Sequence, residues 1–276
     1  MAATQLLFSK YHGLGNDFVL LDNTQGSVTL SPTQRRFMCD RRYGVGADGL
    51  MILGYSKDYA FDLLYFNSDG EVGSLCGNGS RCALAFARRK GMIGDSRIAF
   101  TAYDGVHHGQ YLPVDDTYCV SMKDRRFEDI EELDSENYFL DTGSPHHVRF
   151  VDSLDKCDVI KEGRQLRYGK YGDQNGANVN FVEVKKGAVW VRTYERGVED
   201  ETEACGTGAT AVALVMALRY IRFQDRCHDH HLKSSCDITM GRGILTIKYG
   251  IRPDVFTDIK LIGEAVHVFD GVYYLP

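Results

Sequence analysis

Two cysteines, Cys76 and Cys205, open matching segments of the chain. Cys76-Gly77-Asn78-Gly79 and Cys205-Gly206-Thr207-Gly208 each run directly into an apolar stretch of helical length. A thiol just ahead of a helix lies among backbone N–H groups without intrahelical acceptors and at the positive end of the helix dipole. Both favour the thiolate. One such cysteine marks a nucleophile. Two in duplicated settings point to two-base proton transfer, in which a thiolate removes a proton from one face of a carbon and a thiol delivers one to the other. That is racemisation or epimerisation of a small molecule without a cofactor. The flanking glycines serve the same end, because backbone without a Cβ lets a ligand approach closely.

The remaining candidates carry less. Cys39, Cys82, Cys119 and Cys157 read as small buried hydrophobes. The eight cysteines include no C-x-x-C pair, which argues against a zinc ribbon or a thioredoxin-type motif. In a chain with no export signal they are expected to be reduced. Cys227-His228-Asp229-His230-His231 resembles a ligand cluster, yet adjacent ligands rarely converge on one ion without a second cluster, so a solvated surface is expected. Gly44 to Gly49 fits G-x-G-x-x-G. A helical-looking segment (Pro32–Arg42, Ser31 as cap) precedes it and a strand-like Leu50–Leu53 follows, the reverse of the order a dinucleotide site requires. It reads instead as a glycine turn at the entrance to the site. His146, beside the rigid Pro145, and Glu195-Arg196, where a strand ends ahead of Cys205, stay open. They are either satisfied polar groups and surface charge, or bases and orienting groups for the thiols.

Elements must exist to position these residues. Strand-like runs, β-branched or aromatic and bounded by polar or glycine-rich turns, fall at Phe18–Leu21, Leu50–Leu53, Ala60–Phe66, Tyr118–Met122, Asn180–Val184, Val189–Tyr194, Ile244–Tyr249 and His267–Phe269. One helix is expected over Ser80–Arg89 with Gly91 past its end, another from Cys205 to about Arg222. The second begins apolar on every face and must be buried all round, as inside a curved sheet. Each cysteine follows a strand by nine or ten residues, and the two are 129 positions apart, so the chain reads as two related halves. The acidic stretch Asp124–Asp134 is the expected linker. A shared site then belongs at the interface between the halves.

With 43% hydrophobic and 25% charged residues, the 276-residue chain has the composition of a soluble globular protein. The formal charge of −6 argues against nucleic acid or an anionic membrane as partner. The first ten residues do not resemble a signal peptide and no apolar run is long enough to span a bilayer, so a cytoplasmic location is expected.

Four segments resemble the signatures of the diaminopimelate epimerase family. They are His12-Gly-Leu-Gly-Asn16-Asp-Phe18, Phe66-Asn67-Ser-Asp-Gly-Glu71 with Cys76-Gly-Asn-Gly-Ser-Arg81, Tyr194-Glu-Arg-Gly197, and Glu201-Thr-Glu-Ala-Cys205-Gly-Thr-Gly208. The closing His267-Val-Phe-Asp-Gly271-Val272 fits as well. The resemblance implies an α/β (α+β type) fold of two pseudo-symmetric domains, each a mostly antiparallel β-sheet rolled around a central α-helix. Residues 1–124 with the C-terminal strand 266–276 would form the domain carrying Cys76, residues 125–265 the domain carrying Cys205, with the active site in the cleft between them. It implies interconversion of LL- and meso-2,6-diaminopimelate for lysine and peptidoglycan synthesis, without pyridoxal phosphate, metal or nucleotide, by a homodimer. Carried over by position, Cys76 and Cys205 are the acid/base thiols, His146 assists Cys76 and Glu195 assists Cys205. Asn16, Asn67, Asn180, Glu195 and Arg196 bind the substrate, and backbone N–H groups of Gly77, Asn78, Gly206 and Thr207 hold the reacting carboxylate. The chain departs from the family at Ser144, where Asn is frequent, at Gly49, where Gln is frequent, and in an acidic loop at 198–201 that is one residue longer than in many members. A racemase of another amino acid, such as histidine, and a non-catalytic binding protein on the same scaffold are the competing readings.

Overall fold

The computed structural model of the protein describes residues 5–73, 76–227, 234–241 and 243–275. β1 (Gln5–Gly13) and β2 (Asn16–Asn23) form a hairpin, and α1 (Pro32–Cys39) crosses to β3 (Gly49–Gly54), which lies parallel to β2 and antiparallel to β4 (Asp62–Asn67). After α2 (Gly77–Arg89) come β5 (Ile98–Ala102), parallel to β4, then β6 (Gly105–Leu112) and β7 (Thr117–Ser121). Two short strands follow, β8 (Arg125–Arg126) and β9 (Glu131–Glu132), and the order then recurs. β10 (Asn137–Asp141) and β11 (Pro145–Phe150) form a hairpin, and α3 (Val159–Tyr168) crosses to β12 (Asn178–Lys185), parallel to β11 and antiparallel to β13 (Ala188–Glu195). After β14 (Asp200–Thr202) and α4 (Gly206–Cys227) come β15 (Ser235–Met240), parallel to β13, then β16 (Gly243–Arg252) and β17 (Val255–Gly263). β18 (Val266–Tyr274) returns to pair with β1. The chain divides into two compact units, one running to Val120 and resuming at Gly263, the other Ser121–Ile262.

In the first unit the strand order is β18-β1-β2-β3-β4-β5-β6-β7. α2 is buried from Gly77 to Ala87, and its small residues Cys82, Ala83, Ala85 and Ala87 let the sheet close around it. Phe18 and Leu20 of β2 and Met51 and Leu53 of β3 face α2, while Val19, Leu21, Leu50 and Ile52 pack with Met38 and Cys39 of α1 on the other face. Burial on both faces explains why these strands read as unbroken apolar runs rather than alternating ones. The second unit repeats the device, with α4 against β10, β11, β12, β15 and β16 and α3 against β12 and β13. The expected mixed α/β fold with mostly antiparallel strands is observed.

Several boundaries differ from expectation. α2 begins at Gly77, not Ser80, since Cys76 in extended conformation is its N-cap. α1 ends at Cys39 because the Asp40 carboxylate takes the N–H groups of Arg42 and Tyr43 and turns the chain there. α4 continues past Arg222 to Cys227, and the cluster ending at His231 lies outside the described residues. The acidic stretch at 124–134 is not open chain. β8 pairs with β17 and β9 with β10, and Arg126 binds Asp254 and caps a 3-10 turn through Asp129. α3 was absent from the expected elements because Gly163 weakens its helical pattern. The glycine is there for packing: a Cβ would sit 2.4 Å from Tyr194 Cβ.

Candidate active site

Both cysteines hold the same local position. The Cys76 carbonyl accepts from Ser80 N–H at 2.8 Å and the Cys205 carbonyl from Ala209 N–H at 2.9 Å, the first bonds of α2 and α4. Each side chain therefore stands at a helix N-terminus. Their surroundings differ in a way the sequence does not disclose. Cys205 Sγ accepts from Gly208 N–H at 3.4 Å and lies 3.4 Å from Thr207 Oγ1. Cys76 Sγ instead donates to Asn16 Oδ1 at 3.6 Å.

The orientation of Asn16 follows from its other partners. Its Nδ2 donates to Asp48 Oδ2 at 2.8 Å, so Oδ1 must face the thiol, where it also accepts from Asn78 Nδ2 at 3.2 Å. Asn16 opens β2 just after the hairpin turn, where Leu14 (φ 53°) and Gly15 (φ 90°) are both left-handed. Asp48 comes from the glycine turn, which packs on the end of α1 through Gly44, Val45, Gly46 and Ala47 N–H groups. The turn is thus a structural support for Asn16 and leads into a strand, as its reversed order required. Arg41 binds Asp48 at 2.7 Å and Asp17 at 2.8 Å, and Lys10 binds Asp17 at 2.7 Å. Burial alone would raise the Asp17 carboxyl, but the hydrogen bonds and charges of Arg41 and Lys10 hold it down at about 2.

Asn67 ends β4 opposite Gly49, and its side chain is exposed. Among the described contacts none joins it to Cys76. Gly49 and Gly73 flank the Tyr65 ring: a Cβ would lie 2.7 Å from Tyr65 Cε2 at the first and 2.4 Å from Cε1 at the second. The departure at Gly49 therefore makes room for Tyr65, which packs edge-on against Phe18.

In the second unit Asn180 is the hub. It is fully buried, accepts from Thr193 Oγ1 at 3.0 Å, and donates to the His147 carbonyl at 3.0 Å and His146 Nδ1 at 3.2 Å. Since Asn180 offers His146 an N–H, Nδ1 is an acceptor and the ring proton sits on Nε2. That nitrogen is buried without a partner among the described residues. Burial, then the positive charge of Arg196, hold the His146 pKa down at about 3, so the ring is neutral at physiological pH. Asn180 also packs on the thiol turn, for a Cβ on Gly208 would lie 2.4 Å from its Oδ1.

Asn178, which sequence reasoning passed over, joins the rest. It accepts from Arg196 N–H at 2.8 Å and donates to the Pro145 carbonyl at 3.3 Å, tying the end of β13 to the start of β11. Glu195 accepts from Thr202 Oγ1 at 2.7 Å. The acidic loop is paired to neighbouring elements, with Arg167 of α3 on Glu199 at 2.6 Å and Arg192 of β13 on Glu201 at 2.6 Å. Thr142 Oγ1 donates to the Thr207 carbonyl at 2.8 Å, which fixes the turn bearing Cys205. Asn16, Cys76, Gly77 and Asn78 thus form one connected group, and His146, Asn180, Cys205, Gly206 and Thr207 another, with Glu195 and Arg196 beside it.

The model for the family described as "Diaminopimelate epimerase" matches residues 8–123 and 138–250. A protein named diaminopimelate epimerase from Flavobacterium psychrophilum is 39% identical over 267 residues, covering 95% of this chain and 97% of the relative. One of the same name from Aquifex aeolicus is 35% identical over 281 residues, covering 96% of each. Among solved structures, a Bacillus anthracis phenazine biosynthesis protein of the PhzF family superimposes with a TM-score of 0.71 at 14% identity, covering 98% of this chain and 99% of that one. A hydroxyproline epimerase from Agrobacterium vitis gives 0.63 at 13% identity, covering 98% and 93%. At such identities these two show the fold alone.

Proposed function

The chain belongs to the diaminopimelate epimerase family, and we infer from that membership that it is an isomerase interconverting LL- and meso-2,6-diaminopimelate. We propose that the reaction is two-base proton transfer by Cys76 and Cys205. The observation that carries this reading is the matched placement of the two thiols, each at the N-terminus of a helix wrapped by its own sheet.

An amino-acid α-proton is weakly acidic, so the carbanion must be stabilised at its carboxylate. The first N–H groups of α2 and α4, at Gly77, Asn78, Gly206 and Thr207, are suited to that charge. The thiolate of one cysteine takes the α-proton and becomes a thiol. The other thiol gives its proton to the opposite face and becomes the thiolate, so the pair ends with one proton between them, as it began. The scheme requires the units to present their thiols to opposite sides of one carbon, in a cleft between a domain of residues 1–124 with 266–276 and one of 125–265. His146, neutral and carrying its proton on Nε2, would act as a hydrogen-bond donor to Cys76 rather than as a base. Glu195 would orient Cys205, and Asn16, Asn67, Asn180 and Arg196 would bind the substrate. No cofactor enters the scheme.

The product serves lysine and peptidoglycan precursor synthesis, and a cytoplasmic homodimer is the expected form. No helix among the described residues is long and apolar enough to cross a membrane. The test is proton NMR of the reduced protein in deuterated buffer with LL-diaminopimelate, histidine and proline. Deuterium at the α-carbon of diaminopimelate with meso product is expected; exchange confined to another amino acid refutes the substrate. Full turnover by Cys76→Ser or Cys205→Ser refutes the two-thiol scheme.

A further inference from the structure

Thr207, the second residue of α4, is oriented by the turn between β10 and β11. Its Oγ1 lies 3.4 Å from Cys205 Sγ, and either atom can be the donor. Its methyl is directed the other way: Thr207 Cγ2 lies 3.8 Å from the place a Cβ on Gly143 would take. The same turn grips the backbone, since the buried Thr142 donates from Oγ1 to the Thr207 carbonyl at 2.8 Å. The turn is itself braced. Gly143 N–H donates to Asp141 Oδ1 at 2.7 Å, Thr142 N–H to the Ser144 carbonyl at 3.1 Å, and Arg125 Nε of β8 to the Asp141 carbonyl at 2.6 Å. Gly143 holds φ 111°, a conformation that favours glycine and brings Thr142 round to α4.

In a two-base scheme Cys205 is a thiolate in one direction and a thiol in the other, so a polar group beside it meets both states. A backbone N–H, such as that of Gly208 at 3.4 Å, can only donate. A hydroxyl carries one proton and two lone pairs. By rotating about its C–O bond it donates to the thiolate and accepts from the thiol. Thr207 can do this only while Oγ1 faces Sγ, because its other staggered χ1 rotamers carry the oxygen away. The bond from Thr142 fixes the direction of the Thr207 peptide, and with it where the Thr207 Cβ stands between thiol and turn.

We propose that Thr142 is a positioning residue for Cys205: by holding the Thr207 carbonyl it keeps the Thr207 hydroxyl on the thiol, where that hydroxyl serves both protonation states. Thr142 stands 65 positions from Thr207 in the chain, and its part in the site arises only when the hairpin packs on α4. The role rests on the two-thiol reading above.

The experiment is pulsed alkylation of the full, reduced chain with iodoacetamide across pH, each cysteine being quantified by peptide mass spectrometry. In Thr142→Val the midpoint for Cys205 should rise by about one pH unit, the share of one hydrogen bond to a charged group. The Cys76 midpoint should not rise. Thr142→Ser keeps the hydroxyl and should leave the Cys205 midpoint within a few tenths of the parent. Thr207→Val removes the group through which Thr142 acts and should raise the midpoint at least as far. Adding Thr142→Val to it should then raise the midpoint no further, since two residues acting through one contact are not additive. A turn that is merely looser would change the plateau rate of alkylation and not its midpoint. Below both midpoints, kcat/KM for LL-diaminopimelate should fall about tenfold per unit of rise, with the thiolate fraction. An unchanged Cys205 midpoint in Thr142→Val, an equal rise at both cysteines, or full additivity with Thr207→Val overturns the proposal. If Thr142→Val does not fold, Thr142→Ala takes its place with the same outcomes. Alkylation needs no turnover, so failure of the two-thiol scheme would be seen separately, in the activity of Cys76→Ser.

Discussion

The matched glycines Gly79 and Gly208 offer an internally controlled perturbation. Both occupy the third position after one of the paired cysteines, and both sit in the first turn of a central helix. A methyl group on Gly79 would meet Met51 Sδ at 3.4 Å and Phe18 Cζ at 3.5 Å, ordinary van der Waals contact. On Gly208 it would lie 2.4 Å from Asn180 Oδ1, so that oxygen must retreat by about 1 Å to reach ordinary contact. Such a shift strains bonds of 3.0 Å to Thr193, 3.0 Å to His147 and 3.2 Å to His146. Losing one or two buried hydrogen bonds costs about 1 kcal/mol each. Overpacking adds about 1–3 kcal/mol, and the better helix propensity of alanine returns up to about 1 kcal/mol. Gly208→Ala should therefore be destabilised by about 2–3 kcal/mol, while Gly79→Ala stays within about 0.5 kcal/mol of the parent or gains slightly. A misplacement of this size beside reacting groups also costs on the order of 10²-fold in rate. Urea denaturation and kcat/KM for LL-diaminopimelate, measured on both variants, check the argument. If Gly208→Ala matches Gly79→Ala in stability and turnover, Asn180 does not hold the Cys205 turn as described.

The Asp17 carboxyl, depressed in the folded state to about 2, should stabilise the fold by about 2 kcal/mol above its unfolded pKa near 4, a contribution lost as pH falls through about 2. Urea midpoints of the parent and Asp17→Asn should converge over that window, and a gap independent of pH contradicts the ion-pair account. His146 should show a flat imidazole C2-proton shift from about pH 5 to 8, since burial holds it near 3. Because that value lies below the unfolded one near 6.5, its burial should reduce stability only as pH falls from about 6.5 toward 3; a midpoint near neutrality would assign the ring a different environment. Gly163→Ala, which forces a methyl against Tyr194, should lower stability by about 1–3 kcal/mol despite its better helix propensity, and a stabilised variant would refute the packing role.

The matched placement of the two thiols was legible in the sequence because it depends on local order. Cys-Gly-x-Gly ahead of an apolar helix places a thiol at an N-terminus whatever surrounds it, and the duplicated motif, the family resemblance and the reversed glycine turn follow from neighbours in the chain. Elements whose pattern is set by distant partners were harder. β1 carries the buried Ser9 and Lys10, which break its apolar pattern and are satisfied by Asp270 and Asp17 from other strands. α3 was hidden by Gly163, a residue explained only by Tyr194 on β13. The same holds within the site. Arg81 reads as an ordinary helical charge until the sheet closes over it, and Asn178 as a strand polar residue until it bridges Pro145 and Arg196. Two like motifs were thus evident from residue order alone, whereas the contact of Asn16 with the first of them was decided by tertiary structure. Asn16, 60 positions from Cys76, brings its amide oxygen to that thiol, while Cys205 takes the N–H of Gly208 and lies beside Thr207 in its own turn; which group each thiol meets is a matter of direction and burial in a packed interior.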